Sequence, residues 1–223
     1  MNAKASIGPE FIRASNRFEK LIGSKIFWIL FLAFGFSYPI YRSLNRTLPA
    51  ELPIIAHVPQ FELISENGTP FGSKDLKGRI YLANFVFTRC PTVCPRLLTE
   101  LEKIQKRVRG TGRKVAIVTF TVDPEFDKPN VLFDLARTRK ANPHVWTFLT
   151  GNNKEEMFKL YRDGFKVGVE QNPKNLFDIA HSEKIVLVDG DNRVRGYYAF
   201  EEHSINKLMI DVGLLINRPS TKE

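Results

Sequence analysis

Cys90 and Cys94 are the only cysteines in a chain of 223 residues, and they stand four apart in Cys90-Pro-Thr-Val-Cys94. A disulfide-framework fold needs several pairs that join distant segments. This pair could join a loop only to itself, and closing so short a loop constrains the unfolded chain by roughly 2 kcal/mol. Chemistry explains the pair better than stability does. Thiolates are the nucleophiles of thiol–disulfide exchange and the soft ligands of metal sites, so the candidate chemistry is redox or metal binding.

The residues around the pair suggest how the thiols are activated. Arg79–Thr88 is an apolar, β-rich run, and Leu97, Leu98, Leu101, Ile104 and Val108 form one stripe at helical spacing, with Gly110 as the stop. Cys90 is therefore expected just after a buried strand, where reactive groups gather in open α/β sheets. Cys94 falls in the first helical turn, and Pro95 is tolerated there because its missing N–H would be unpaired anyway. Unpaired N–H groups and the positive end of the helix dipole are expected to lower the thiol pKa values.

Three residues separate the cysteines, one more than in the usual redox motif, which opens the bite between the sulfurs. Two thiolates and one imidazole make a trigonal site suited to Cu(I), whereas zinc generally wants a fourth ligand and the chain has no second cysteine pair. Of the four histidines, His57 sits among prolines, His144 follows Asn142-Pro143, and His203 lies near the start of the last helix. These three read as surface or capping residues. His181 ends a long loop and immediately precedes a strand; on position alone it is equally a metal ligand or a loop histidine satisfied locally. Asp123 ends the second buried strand, and is either a carboxylate near the sulfurs or a turn residue in Asp-Pro-Glu.

The elements that must position these groups alternate in kind. Gln60–Ser65 and Thr69–Phe71 flank Glu66-Asn67-Gly68 and read as a hairpin, since Asn-Gly supplies a φ > 0 turn. Val115–Val122 reads as a second buried strand, Asn130–Lys140 as a helix, Val145–Leu149 as a third strand and Lys154–Tyr161 as another helix. A second hairpin joins Ile185–Val188 to Arg193–Tyr198, and His203–Leu215 is a closing helix. Strands alternating with helices predict an α/β fold, a mixed sheet flanked by helices.

Ahead of this domain, Ile26–Tyr41 carries no charge. Its span is about 24 Å at 1.5 Å per residue. Adding Leu21, Ile22 and Gly23, with Lys25 snorkelling, brings it close to the thickness of a bilayer core. Trp28, Tyr38 and Tyr41 suit the two interfaces, and no A-x-A-like cleavage site follows. Residues 21–41 are thus expected to be an uncleaved transmembrane anchor behind a basic tail, 1–20. Positive charge before the span puts the N-terminus in the cytoplasm and the rest outside it. Residues 42–58, with Pro49 and Pro53, read as a linker to a domain over 59–216, and 217–223 as a disordered tail. Of the formal charge of +9, residues 1–46 hold seven basic against two acidic groups; what remains is mildly basic and mixed in sign, which is no nucleic-acid footprint.

Three blocks together carry a family resemblance. Phe87-Thr-Arg-Cys-Pro-Thr-Val-Cys-Pro95, Thr121-Val-Asp-Pro-Glu-Phe-Asp-Lys-Pro129 and Ala180-His-Ser-Glu-Lys-Ile-Val-Leu-Val-Asp-Gly190, with Trp146-Thr-Phe-Leu-Thr-Gly151, resemble the Sco/SenC family in order and spacing over roughly residues 59–216. Arg89 departs from it, standing where many relatives have histidine. The resemblance implies a thioredoxin-like domain on an N-terminal membrane anchor. It implies copper bound by Cys90, Cys94 and His181, in assembly of the binuclear copper centre of cytochrome c oxidase. The implied partners are the oxidase's copper-binding subunit and an upstream copper donor, and the implied location is the inner membrane with the domain in the periplasm or its equivalent.

Members of that family differ in whether they deliver copper or act as dithiol reductants. In the second role Cys90 would attack and Cys94 resolve, making the protein a thiol–disulfide oxidoreductase that needs neither metal nor His181. A peroxiredoxin-like peroxidase is a poor match, because Thr92-Val-Cys94 lacks the P-x-x-x-T/S-x-x-C context. His181 is what favours a metallochaperone over an enzyme.

Overall fold

The computed structural model describes residues 23–44, 51–90, 93–167 and 184–217, in two compact units divided at Ala50. The first unit contains one long helix, α1 (Lys25–Leu44). Its 20 residues rise about 30 Å, and Lys25–Ser43 has a mean hydropathy of 1.2, long and apolar enough to cross a membrane. Pro39 sits inside it, as spanning helices tolerate.

The second unit is built on eight strands: β1 (Ala56–His57), β2 (Glu62–Ser65), β3 (Pro70–Gly72), β4 (Ile80–Val86), β5 (Val115–Thr121), β6 (Trp146–Thr150), β7 (Lys184–Val188) and β8 (Arg193–Ala199). They form one sheet in the order β1-β8-β7-β4-β5-β6-β2-β3. β4, β5 and β6 run parallel, and the remaining pairings are antiparallel. Every residue of β4 and β5 is buried, as expected for parallel strands covered on both faces.

The helices are α2 (Val93–Val108), α3 (Pro129–Thr138), α4 (Lys154–Lys159) and α5 (Glu202–Asn217). The crossovers from β4 to β5 and from β5 to β6 bring α2 and α3 together, where Gln105 of α2 donates to the carbonyl of Lys140 and accepts the N–H of Asn142 just past α3. The apolar stripe read from the sequence is what α2 buries: Leu97, Leu98, Leu101, Ile104 and Val108 are all in the core. Phe85 and Phe120, paired across β4 and β5, pack against Tyr161 and Phe165. Those two rings come from the wider π-type turn, Leu160–Gly164, that continues α4, and from the residue after it.

Both expected hairpins form. In the first, Gly68 alone takes the left-handed conformation, at φ 74°, so the turn spans more than the Asn-Gly pair. In the second, the turn after β7 lies against the chain entering β4: the Gly78 N–H donates to the Gly190 carbonyl at 2.9 Å. A Cβ on Gly190 would stand 2.9 Å from the Gly78 backbone.

The start of the domain differs from the sequence reading. Part of the expected linker is folded: β1 pairs with β8, the Ile55 N–H donates to the Val194 carbonyl and the Val58 N–H to Asn192, each at 2.8 Å. The Arg195 guanidinium also holds the Leu52 carbonyl at 2.7 Å. The compact unit therefore begins at Glu51 and not near Pro59. A strand of two residues has no periodicity to read, and prolines on both sides imitate a spacer.

Candidate metal and redox site

Cys90 lies four residues beyond β4, and Cys94 is the second residue of α2. Both are thiols, and both belong to the hydrophobic core, Cys90 being 7% and Cys94 3% exposed. The Cys90 N–H donates to the Phe87 carbonyl at 3.2 Å, which curls the chain as it leaves the strand. The Cys94 N–H then donates to the Cys90 sulfur at 3.4 Å. The unpaired first N–H groups of a helix thus serve the first thiol, as the sequence implied.

The expected lowering of both thiol pKa values does not hold for Cys94. Burial pushes its thiol up to about 12; contact with Cys90 and the nearby Asp127 carboxyl group add to this, while a backbone hydrogen bond at Phe87 opposes it. Desolvation of a buried thiolate outweighs a helix end. Cys94 is a protonated, sheltered thiol.

Beneath the loop lies a polar knot that the sequence reading did not find. Asp127 is fully buried. Its carboxyl group accepts the Thr88 N–H at 3.0 Å and the hydroxyls of Thr88 and Thr121. Thr121 in turn accepts the Asp123 N–H at 3.0 Å, and its carbonyl receives the Tyr161 hydroxyl at 2.5 Å. Burial raises the pKa of Asp127, while the hydrogen bonds from Thr121 and Thr88 pull it down. The only sequence signal was an aspartate six residues beyond Thr121, which nothing local distinguishes from a turn residue.

Asp123 is buried as well, but it faces the rim. Arg89 pairs with it, and Lys154 stands 3.8 Å away. The Arg89 guanidinium lies 4.4 Å over the ring of Phe126. The Asp127 carboxyl group is one of the neighbours that hold the Cys94 thiol up. Arg89, 55% exposed, is the cation at the mouth of the site.

Strand directions sort the histidines. His144 precedes β6, and its carbonyl is bonded by Arg79, just before β4, so it lies at the amino ends of the parallel strands, opposite Cys90. His57 pairs with Arg193 at the start of β8, also at that pole. His203 is exposed in the first turn of α5. His181, the expected ligand, lies outside the described residues. β7, which begins three residues after it, runs antiparallel to β4 with Val186 opposite Ala83, so Lys184 starts at the pole of Cys90. Among the described residues no three His, Cys, Asp or Glu side chains form a metal-binding group.

A family model described as SCO1/SenC matches residues 52–215. The SCO1 protein homolog of Bacillus subtilis is 30% identical over 161 residues, covering 72% of this chain and 83% of that protein. The solved structure of BsSco, reported with a disulfide switch and as a member of the Sco family of cytochrome c oxidase assembly proteins, matches with a TM-score of 0.66 at 28% identity. It covers 76% of this chain and 100% of its own. Bradyrhizobium japonicum ScoI, solved with copper bound, shares the fold at a TM-score of 0.56 and 24% identity, over 72% of this chain and 99% of its own. The mixed sheet flanked by helices is the thioredoxin-like fold of these proteins.

Proposed function

The chain belongs to the SCO1/SenC family, and from that premise we propose that it is a membrane-anchored copper chaperone. Its cargo is a cuprous ion held by Cys90, Cys94 and His181, destined for the binuclear copper site of cytochrome c oxidase. The observation that carries this reading is the paired sulfurs at one end of the sheet, the Cys90 sulfur turned onto the Cys94 N–H. Two soft donors select Cu(I) over harder cations. The third donor must come from elsewhere. His57 and His144 are at the far pole, and His203 is exposed on α5 just beyond the end of β8; His181 is three residues from Lys184, within about 11 Å of extended chain, and is the histidine that the family resemblance implies.

Copper binding must displace the Cys94 proton, so uptake releases acid and strengthens as pH rises. A ligand on the chain segment before β7 can let go while the sulfurs hold, which suits transfer by ligand exchange. In this reading α1 spans the inner membrane with the N-terminus inside. The domain works in the periplasm or its equivalent, between an upstream copper donor and the oxidase's copper-binding subunit.

Titration of the reduced protein with Cu(I) against a competing chelator tests the assignment. Cys90→Ser and Cys94→Ser should abolish stoichiometric binding. His181→Ala should weaken it while leaving the dithiol able to oxidise. Unchanged affinity in His181→Ala removes that residue from the ligand set.

A second reading, reduction of the oxidase's copper-site cysteines, is favoured by the dithiol itself. Cys94 is protonated and sheltered, as a resolving thiol would be. Exchange with a disulfide peptide at full rate without copper, and equally in His181→Ala, is its signature.

A further inference from the structure

We propose that Asp127 is the positioning residue of the thiol pair: its buried carboxyl group clamps Thr88 to the end of β5 and thereby holds the two sulfurs within reach of each other. The inference deepens the copper reading and rests on it only for its consequence in metal capture.

The loop from Cys90 to Cys94 has two ends. One is fixed by α2, whose first turns bury Cys94, Leu97 and Leu98 in the core. The other leaves β4 through Phe87, Thr88 and Arg89. Val86 is the last residue of the strand, and the Val122 N–H donates to its carbonyl at 2.8 Å. Beyond that ladder, Thr88 is held by side-chain contacts with Asp127: its N–H at 3.0 Å and its hydroxyl both donate to the carboxyl group. Asp127 is itself fixed from the β5 side by the Thr121 hydroxyl, and its own N–H donates to the Asp123 carbonyl at 2.8 Å. The clamp thus joins the last turn before Cys90 to the neighbouring strand, with its acceptor Asp127 fully buried and Thr88 half-buried.

The Arg89–Asp123 pair is placed to do something different. Asp123 is buried, but Arg89 is more than half exposed and reaches it with the end of a long side chain, so the pair fixes the Arg89 backbone less directly than a bond to the main chain does, as at the Thr88 N–H. Loop position therefore depends on the buried contacts. A loop anchored at both ends gives its two sulfurs a high effective concentration toward each other. That concentration governs two measurable events alike: closure of a disulfide and capture of one metal ion by both sulfurs.

The test uses the full-length protein equilibrated with dithiothreitol. Reducing the Cys90–Cys94 disulfide breaks the S–S bond and takes up two electrons and two protons, which dithiothreitol supplies as it closes to its cyclic disulfide. Asp127→Ala should lower the equilibrium constant for forming the disulfide by about tenfold, the scale of losing the two hydrogen bonds from Thr88. Thr88→Val, which deletes only the hydroxyl, should lower it by about fivefold. The double variant should fall no further than Asp127→Ala, because both act through one contact. Asp127→Asn should stay within about twofold of the parent, since an amide can accept the Thr88 N–H and donate to its hydroxyl.

Cu(I) affinity should fall in step across the series. An equal loss in Asp127→Asn and Asp127→Ala would assign the effect to charge and overturn the proposal, as would an unchanged constant in Thr88→Val. If Asp127→Ala does not fold, Thr88→Val against Asp127→Asn still decides. If the parent protein takes up no Cu(I), the copper reading fails while the redox series still tests the clamp.

Discussion

Cys94 keeps its proton to about pH 12 in the folded protein, against 9.0 for an unperturbed thiol. The folded state then binds one more proton than the unfolded state between those values, so stability falls as pH rises from about 9 toward 12 and is unaffected below. Urea midpoints of the reduced, copper-free protein should be equal at pH 7 and 8 and fall steeply by pH 10.5. In Cys94→Ala that fall should be shallower, though not abolished, because burial also raises Tyr81 and Tyr198. The two cysteines were legible in the sequence because their rarity and spacing are sequence properties. Asp127 was not, since its importance lies in reaching Thr88, 39 residues away in the chain. The thiol pKa was misjudged for a related reason: a helix end is visible in a pattern, but the depth of burial around it is not.

Among the elements, α2 does most to fix the second sulfur, because its apolar stripe locks the helix onto the sheet. Leu101 is completely buried at the middle of that stripe. Leu101→Ala should cost about 2–5 kcal/mol by chemical denaturation, and Cu(I) binding should survive wherever the protein remains folded. A loss of affinity without a loss of stability would show that α2 is not the rigid support described. The helices were readable from their period of 3.6, and the central strands from short, continuous apolar and β-branched runs. The π-type turn after α4 was not, because it results from seating Tyr161 and Phe165 against Phe85 and Phe120. β1 was missed for lack of length, and its pairing with β8 shows only in the folded chain.

The whole molecule has two compact units, and the boundary between them is testable. A chain starting at Glu51 should fold, stay in solution without detergent and bind Cu(I) as the full-length protein does. One starting at Pro59 lacks β1 and the Leu52 carbonyl that Arg195 holds. It should melt several degrees lower, on the order of 4–8 °C for each kcal/mol lost in a domain near 100 residues and less in a larger one. Equal melting temperatures would return the boundary to Pro59.

The chain enters the domain beside the start of β8, at the pole where Gly78 meets Gly190, while the cysteines stand at the other end of β4. The seven residues of β4 separate the two by about 23 Å. In the membrane-anchored reading proposed above, a domain tethered at that pole would carry its sulfurs at the far one, so a small rotation of the domain about its point of entry would sweep them through a wide arc.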